Sequence, residues 1–523
     1  MNQILTDQLE KLHNSGTHLH LSGALHGIEK EGLRVDSQGN ISLTPHPMEL
    51  GSSLTNGYIT TDFSESLLEL ITPALTSPAA ALHFLEAIHQ YTYSHLGEEL
   101  IWASSMPCRI EDSSSIPIAQ FGTSNIGQMK HIYRVGLMHR YGKMMQSIAG
   151  IHYNFSLPDD FWNGYQELLN NQDSMKSFVS SAYFSMIRNF RRHSWLLMFL
   201  FGASPALSRS FLGEETKNLE PLYDDTLFLP YATSLRMSDL GYSSTAQSSL
   251  KICFNQLKTY TKTLAEAMNT PHPSYEKIGV FVDGEYRQLS DTVLQIENEY
   301  YSDIRPKRVP DLEESALQAL KRGGVQYIEI RSTDVNPLLP VGIDLEQAAF
   351  MDTFLIGCLL MGDEFISQEE CRIIADNHKK VATRGREPQL LLSGLKGDVA
   401  LKSEALQLIN QFGLVAGLLD QLHKTDLYSR SIKAQLNKVE DPSLTPSAQV
   451  VQSLKTSDLN YNEWVLETSK KHKQTFINCP QDIKLQEQLS MESKDSVAKQ
   501  SQIEASESVD FDTFMRMYRT RNP

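Results

Sequence analysis

Residues Gly324-Val325-Gln326-Tyr327-Ile328-Glu329-Ile330-Arg331 alternate apolar and polar positions with the period of a β-strand. Residues two apart on a strand stand on one face, so Glu329 and Arg331 emerge side by side while Ile328 and Ile330 turn to the other face. One wall then offers a carboxylate for a metal ion and a guanidinium for phosphate. Acids recur on strand-like segments at Glu29/Glu31 and at Asp62/Glu69, with a histidine version at His152. This is how a magnesium–nucleotide site would be written.

Five further segments read as strands, 27–35, 67–72, 150–157, 277–282 and 293–299, beside 325–331. Helical patterns separate them at 79–96, 174–201, 248–268 and 345–361, and Asp283-Gly284 supplies the turn of a hairpin. Polar–apolar alternation describes a sheet with one face on a core and one on a cavity, which favours antiparallel pairing. The fold class is therefore α+β. From about residue 360 the chain reads as helical and increasingly polar, and 481–507, rich in Lys, Glu, Gln and Ser, reads as an exposed helix or partly mobile tail that carries no chemistry.

The chain has 523 residues, 41% hydrophobic and 21% charged, the composition of a soluble globular protein. Its net charge of -16 argues against nucleic acid as a partner, because phosphate backbones need unopposed Lys and Arg. Five scattered cysteines without C-x-x-C spacing fit reduced thiols in the cytoplasm rather than a disulfide scaffold or zinc site. The N-terminal 16 residues form an amphipathic first helix without an export-signal pattern. The most apolar stretch, 195–203, is far shorter than the roughly 20 residues that cross a bilayer, so no membrane partner is expected.

No Walker A sequence or dinucleotide fingerprint is present, and Gly122-Thr123-Ser124-Asn125-Ile126-Gly127 has the wrong spacing for either. A nucleotide must then be held by metal and side chains. Glu29 and Glu31 alone would be a solvated edge. Repeated acids on segments with an apolar opposite face instead suggest a cavity whose carboxylates need cations, and oxygen-rich sites suit Mg²⁺ or Mn²⁺. Glu69 interrupts an apolar run, and His152 shares a face with Asn154 and Ser156. Arg236 and the cluster Arg305, Lys307 and Arg308 are either solvent-exposed or anchors for phosphates and carboxylates, and spacing does not decide which.

Eight segments taken together closely resemble the gammaproteobacterial type of glutamate–cysteine ligase. They are Ile28-Glu29-Lys30-Glu31-Gly32-Leu33-Arg34-Val35, Ile59-Thr60-Thr61-Asp62-Phe63, Leu67-Leu68-Glu69-Leu70-Ile71-Thr72-Pro73, Gly122-Thr123-Ser124-Asn125, Gly150-Ile151-His152-Tyr153-Asn154-Phe155-Ser156-Leu157-Pro158, Phe201-Gly202-Ala203-Ser204-Pro205, Gln295-Ile296-Glu297-Asn298-Glu299 and Tyr327-Ile328-Glu329-Ile330-Arg331-Ser332. The resemblance runs from about residue 20 to about residue 390 and fades beyond. It implies a glutamine-synthetase-like funnel, a curved antiparallel sheet flanked by helices, with residues 1–390 as catalytic core and 391–523 as a helical extension packed on it.

The resemblance also implies ATP-dependent joining of the γ-carboxylate of L-glutamate to the amine of L-cysteine through a γ-glutamyl phosphate, the first step of glutathione synthesis, in a cytoplasmic monomer. Carried over by position, Glu29, Glu31, Asp62, Glu69, His152 and Glu329 are the metal set, for Mg²⁺ or Mn²⁺. Arg331 is the phosphate contact, catalytic together with Glu329, and Arg236 the partner of the glutamate carboxylate. Phe63, Tyr133, Leu137, Tyr242 and Tyr301 are the cysteine pocket. Two alternatives stay open: another carboxylate–amine ligase or guanidino phosphotransferase on the same funnel, and a non-catalytic binding protein.

Overall fold

The alternating segments pair into one antiparallel sheet of seven strands. The computed structural model describes residues 3–212, 218–223, 225–241, 250, 252–311 and 314–521. The strands are β1 (Leu25–Val35), β2 (Ile59–Thr61), β3 (Leu67–Ile71), β4 (Leu100–Ile101), β5 (Ile151–Ser156), β6 (Ile304–Lys307) and β7 (Tyr327–Thr333). They lie in the order β6-β7-β5-β1-β3-β2, with β4 on the far end of β1. Every pairing is antiparallel, with Glu29 opposite His152, Glu31 opposite Glu69, and Glu329 between Asn154 and Arg305.

Because side chains alternate, this register sends the acids to one face and Ile28, Tyr153, Phe155, Ile328 and Ile330, none more than 1% exposed, to the other. Helices cover that second face. Those used below are α1 (Gln3–Ser15), α2 (Pro78–His95), α3 (Asn125–Tyr141), α4 (Met175–Phe201), α5 (Leu345–Leu360), α6 (Gln368–Arg384), α7 (Leu401–His423), α8 (Leu427–Glu440), α9 (Tyr461–Asn478), α10 (Ile483–Ser506) and α11 (Phe511–Arg521). Ser77 caps α2 by accepting from the Ala80 amide, and Pro78 fills its first turn, where no amide is needed. In α5 every residue from Gln347 to Leu360 is buried, as befits a helix packed on all sides. Phe354 joins α4 and α7 through rings 5.8 Å from Phe190 and 5.2 Å from Phe412.

Two polar groups interrupt this apolar layer. Lys30, between the acids of β1 but on the opposite face, places Nζ 3.1 Å from His89 Nε2 of α2, and burial pushes its ammonium down to about 7. His26 Nε2 lies 3.0 Å from Asp352 Oδ2 of α5, and the Tyr153 hydroxyl donates to Asp352 Oδ1 at 2.8 Å.

The expected hairpin forms at Phe281–Val282 and Glu285–Tyr286, with Asp283 and Gly284 at positive φ. Of the strand expected at 277–282 only Phe281–Val282 forms, as the first arm of that hairpin, while residues 277–278 end the short helix Pro273–Ile278, whose proline suits a first turn. Residues 293–299 form no strand. They make a loop ending in the 3₁₀ turn Glu297–Glu299, because the Glu299 carboxylate folds back to accept from the Gln295 amide at 2.6 Å. The helix expected at 248–268 begins at Leu257, and residues 248, 249 and 251 lie outside the described residues.

Segment 481–507 is no free tail. α10 docks against α2 and the loop before β2, burying Leu489, Ser493 and Ser496. It escaped the hydrophobic pattern because two of its three buried residues are serines, which allow close approach rather than large apolar area. All five cysteines are unpaired. Among the described residues no helix is long and apolar enough to cross a membrane.

The His26–Asp352 pair makes stability depend on pH. Burial pushes the His26 pKa down, but the Asp352 charge and hydrogen bond more than offset this, leaving it above its ordinary 6.5. A raised histidine pKa contributes stability that is complete below 6.5 and is lost as pH climbs through the folded value. Asp352→Asn keeps an acceptor for Tyr153 but removes the charge, so it should cost about 3 kcal/mol at about pH 6 and less at about pH 8. Urea unfolding of the variant at the two values checks this.

Candidate active site

The acid-bearing face gathers donor atoms from four strands. Glu29, His152 and Glu329 form one group, and Glu31, Glu69 and His152 a second, with ligand atoms inside each within 4.8 Å of one another. His152 stands between them. Its Nδ1 donates to Glu29 Oε2 at 2.9 Å, and its Nε2 is 3.7 Å from Glu31 Oε1. Asn154, two residues on, donates to Glu29 Oε1 at 2.9 Å and fixes that carboxylate from the other side.

The acids differ in electrostatic state. Burial and the charges of Glu29, Asp62 and Glu31 hold the Glu69 carboxyl well above its usual range, and burial likewise raises Glu31. Burial opposes ionisation at Glu329 too, but Lys307 and Arg331 more than offset it and leave this carboxyl well below the usual range. Lys307 Nζ is 3.2 Å from Glu329 Oε1 and Arg331 Nη1 3.2 Å from Oε2. A crowd of oxygen donors, some held from ionising by mutual repulsion, fits a hard divalent cation. The Glu31–Glu69–His152 group fits best, whereas at Glu329 a cation would share the carboxylate with two side-chain cations.

Arg331 bridges this face and a neighbouring cavity. Its Nε is buried without a hydrogen-bond partner. Arg236, 1% exposed, donates from Nη2 to the Arg331 carbonyl at 2.7 Å and lies 3.6 Å from Asp334 Oδ1. Gly150 makes room for it: a Cβ there would fall 2.1 Å from Arg236 Nη2.

The cavity, of about 380 Å³, is lined by the polar Glu31, Asp62 and Arg331 together with Phe63, Tyr133, Leu137 and Tyr301. Tyr133, Leu137 and Tyr141 recur every four residues and so share one face of α3. Asp62 belongs to neither donor group and stands on the cavity wall. Tyr242 lies outside the described residues. Of the basic cluster, Arg305 and Lys307 turn inward to Glu329, whereas Arg308 caps the Gly324 carbonyl away from it.

Sequence reasoning missed three parts of this wall. Arg134 lines the cavity, stacked 4.4 Å over Phe121 and bonded through Nε to the Asp62 carbonyl. Glu299, from the segment misread as a strand, pairs with Arg140 at 2.8 Å and accepts from the Tyr141 hydroxyl at 2.7 Å. Asp239 and Lys379 meet at 3.0 Å on the cavity rim. The spacing of Arg134, three residues before Leu137 and seven before Tyr141 on α3, was the available signal.

The chain that carries this site is similar along most of its length to proteins of one family. The family model described as glutamate-cysteine ligase matches residues 9–381. The chain belongs to the glutamate–cysteine ligase family. It is thereby a ligase, as its relatives are named. The glutamate–cysteine ligase of Pseudomonas entomophila is 48% identical over 99% of this chain and 98% of its own length, and that of Pseudomonas putida strain W619 is 49% identical over 95% of both. The crystal structure of glutamate–cysteine ligase from Francisella tularensis in complex with AMP superposes with a TM-score of 0.89 at 37% identity, covering 95% of this chain and 97% of that one. A bifunctional glutathione synthetase from Pasteurella multocida gives 0.68 at 25% identity over 89% of this chain and 53% of its own. The family model stops at residue 381, yet these relatives run on through the C-terminal helices.

Crowding at Glu69 has a measurable consequence. Glu69→Gln removes a carboxyl whose ionisation the fold opposes but the unfolded chain allows, so in chelator the variant should be more stable than the unaltered ligase by on the order of 1 kcal/mol and melt at a higher temperature. It should also gain less stability from added Mg²⁺, because a donor is lost. Melting curves with and without Mg²⁺ test both; a variant less stable in chelator would contradict the repulsion.

Proposed function

We propose that this ligase uses ATP to join the γ-carboxylate of L-glutamate to the amine of L-cysteine through a γ-glutamyl phosphate, giving γ-glutamylcysteine for glutathione synthesis. The observation that carries this is Arg331, standing between the carboxylate–histidine groups and a cavity lined by Phe63, Tyr133, Leu137 and Tyr301. Such a layout suits phosphoryl transfer on one side and capture of a small amino acid on the other. The AMP in the Francisella relative supports a nucleotide as the second substrate.

A carboxylate carries no leaving group. In the first step an oxygen of the glutamate γ-carboxylate attacks the γ-phosphorus of ATP, and the bond to the β–γ bridging oxygen breaks to release ADP. In the second the cysteine amine attacks the acyl carbon, loses its proton, and inorganic phosphate departs with the electron pair of the C–O bond. Glu29, Glu31, Asp62, Glu69, His152 and Glu329 would hold Mg²⁺ or Mn²⁺, which would neutralise charge at the phosphates. Arg331 holds the transferring phosphoryl group, and the arrangement needs orientation more than a strong base. Arg236 holds the glutamate carboxylate. The aromatic cavity takes the cysteine side chain, with sulfur–ring contacts of about 0.3–1.5 kcal/mol.

We further assign the chemistry to residues 1–390, with 391–523 as a helical support, and place the protein in the cytoplasm as a monomer. A coupled ADP-release assay with glutamate tests the reading: cysteine should stimulate turnover more than other amino acids, and stimulation by a different amine with none by cysteine would contradict it. Glu329→Gln should abolish most turnover with the fold intact by circular dichroism, although the melting temperature should fall because Lys307 and Arg331 lose their shared carboxylate. Tyr301→Phe should raise KM for cysteine about tenfold, the worth of a hydrogen bond to a charged group, and leave KM for ATP nearly unchanged. Loss of ATP affinity instead would place the acceptor at the other end of the site.

A further inference from the structure

Gly122-Thr123-Ser124-Asn125 has no part in the chemistry above, and the structure gives it another use. It is the entry to α3, the helix that carries Tyr133 and Leu137 into the cavity. Ser124 caps the helix from within, accepting from the Gly127 amide at 3.2 Å. The adjoining amides are met from the far end of the chain. Thr123 N donates to Glu504 Oε1 at 2.8 Å and Asn125 N to Glu507 Oε1 at 2.7 Å, while Asn125 Nδ2 donates to the Val509 carbonyl at 3.0 Å. Two carboxylates thus sit at the positive end of the α3 dipole. Gly122 has φ +78°, and a Cβ on it would fall 2.0 Å from Gln500 Nε2 and 2.3 Å from Glu504 Oε1, so α10 lies directly against it.

Two further contacts extend the grip. On α11, Met515 is 4% exposed and packs against Met129 and Ile132 of α3, in a cluster that Tyr133 also joins. Along α10, the Ser52 amide donates to Ser496 Oγ at 3.0 Å and the Gly57 amide to Glu492 Oε1 at 3.1 Å, which holds the loop leading into β2 and on to Asp62 and Phe63. α10 therefore holds both the start of α3 and the loop leading to Asp62 and Phe63, and α11 packs along α3.

We propose that α10 and α11 are a positioning element for the acceptor cavity, in which Glu504, Glu507 and Met515 set where Tyr133 and Leu137 stand. This rests on the reading that the cavity takes the amino-acid acceptor. Among the described residues no hydrogen bond or ion pair joins these helices to Glu29, Glu31, Glu69, His152, Glu329 or Arg331, so displacing them should weaken acceptor binding and spare the phosphoryl-transfer half. A packed helix moves as a rigid body, and a wall misplaced by about 1 Å is costly to a small, closely fitted substrate.

The test uses full-length chain carrying Glu504→Gln and Glu507→Gln together, Met515→Ala separately, and the exposed single change Glu507→Gln as a variant that keeps the core intact. Initial rates of ADP release are measured against cysteine, 2-aminobutyrate, glutamate and ATP, beside melting curves. KM for cysteine should rise about fivefold, about the worth of carboxylate charge at a helix N-terminus, with kcat and KM for ATP held within about twofold. The preference for cysteine over 2-aminobutyrate should change with it. Unchanged KM for cysteine in all three variants, or a parallel loss in every parameter that follows the melting temperature, would overturn the proposal. Absence of cysteine-dependent ADP release in the unaltered chain would instead overturn the assignment of the cavity, and this proposal with it.

Discussion

Antiparallel pairing of β1 with β5 on one side and β3 on the other puts Glu29 opposite His152 and Glu31 opposite Glu69. Strand spacing of about 5 Å then forces the charges together whether or not they attract. Two consequences follow from this one register. The acid face is under repulsive load, visible in the raised Glu69 and Glu31 carboxyls, and cations of some kind must answer it. The reverse face, where the charged groups His26, Lys30 and Arg34 each meet a polar partner, packs against α2, α4 and α5. A one-residue slip of β1 would exchange these faces, burying Glu29 and Glu31 under α5 and α2.

Cations arrive from two directions. Side-chain cations answer Glu329, which faces Lys307 and Arg331 and is held ionised by them. At the Glu31–Glu69–His152 group no lysine or arginine pairs with the acids among the described residues, and this is where a metal ion is most needed. Arg331 sits where these regimes meet and has Glu329 on one side and the cavity on the other. The acceptor wall is built from separate pieces, α3 and the loop through Glu299 to Tyr301. The Arg140–Glu299 pair joins them, buried and fully hydrogen-bonded, a geometry in which removing one partner is costly.

Much of the sheet was legible because its period is two and its faces differ in polarity. Glu329 beside Arg331, His152 beside Asn154, and Glu29 beside Glu31 follow from that alone. Short strands were not legible: β2 has three residues, and β6 contains Pro306, tolerated only because β6 is an edge strand. Segment 293–299 alternates like a strand but spends its carboxylate on its own backbone. The C-terminal helices were underestimated because their contacts are made by serines and by glutamates that reach backbone amides, which no apolar periodicity records. The aromatic cavity came from family resemblance rather than from spacing. The structure brings Phe63, Tyr133, Leu137 and Tyr301 into one cavity, while pattern reading had no means of joining residues so far apart in sequence.

The central claim is that the register of β1, β3 and β5 builds a divalent-cation site around His152. Pulsed electron paramagnetic resonance of the full chain loaded with Mn²⁺, glutamate and an ATP analogue reads that contact directly, since a coordinated imidazole gives a ¹⁴N coupling. The account predicts a nitrogen coupling in the unaltered chain that vanishes in His152→Gln, with the sheet intact by circular dichroism. A spectrum without nitrogen coupling, or one that the substitution leaves unchanged, would contradict it.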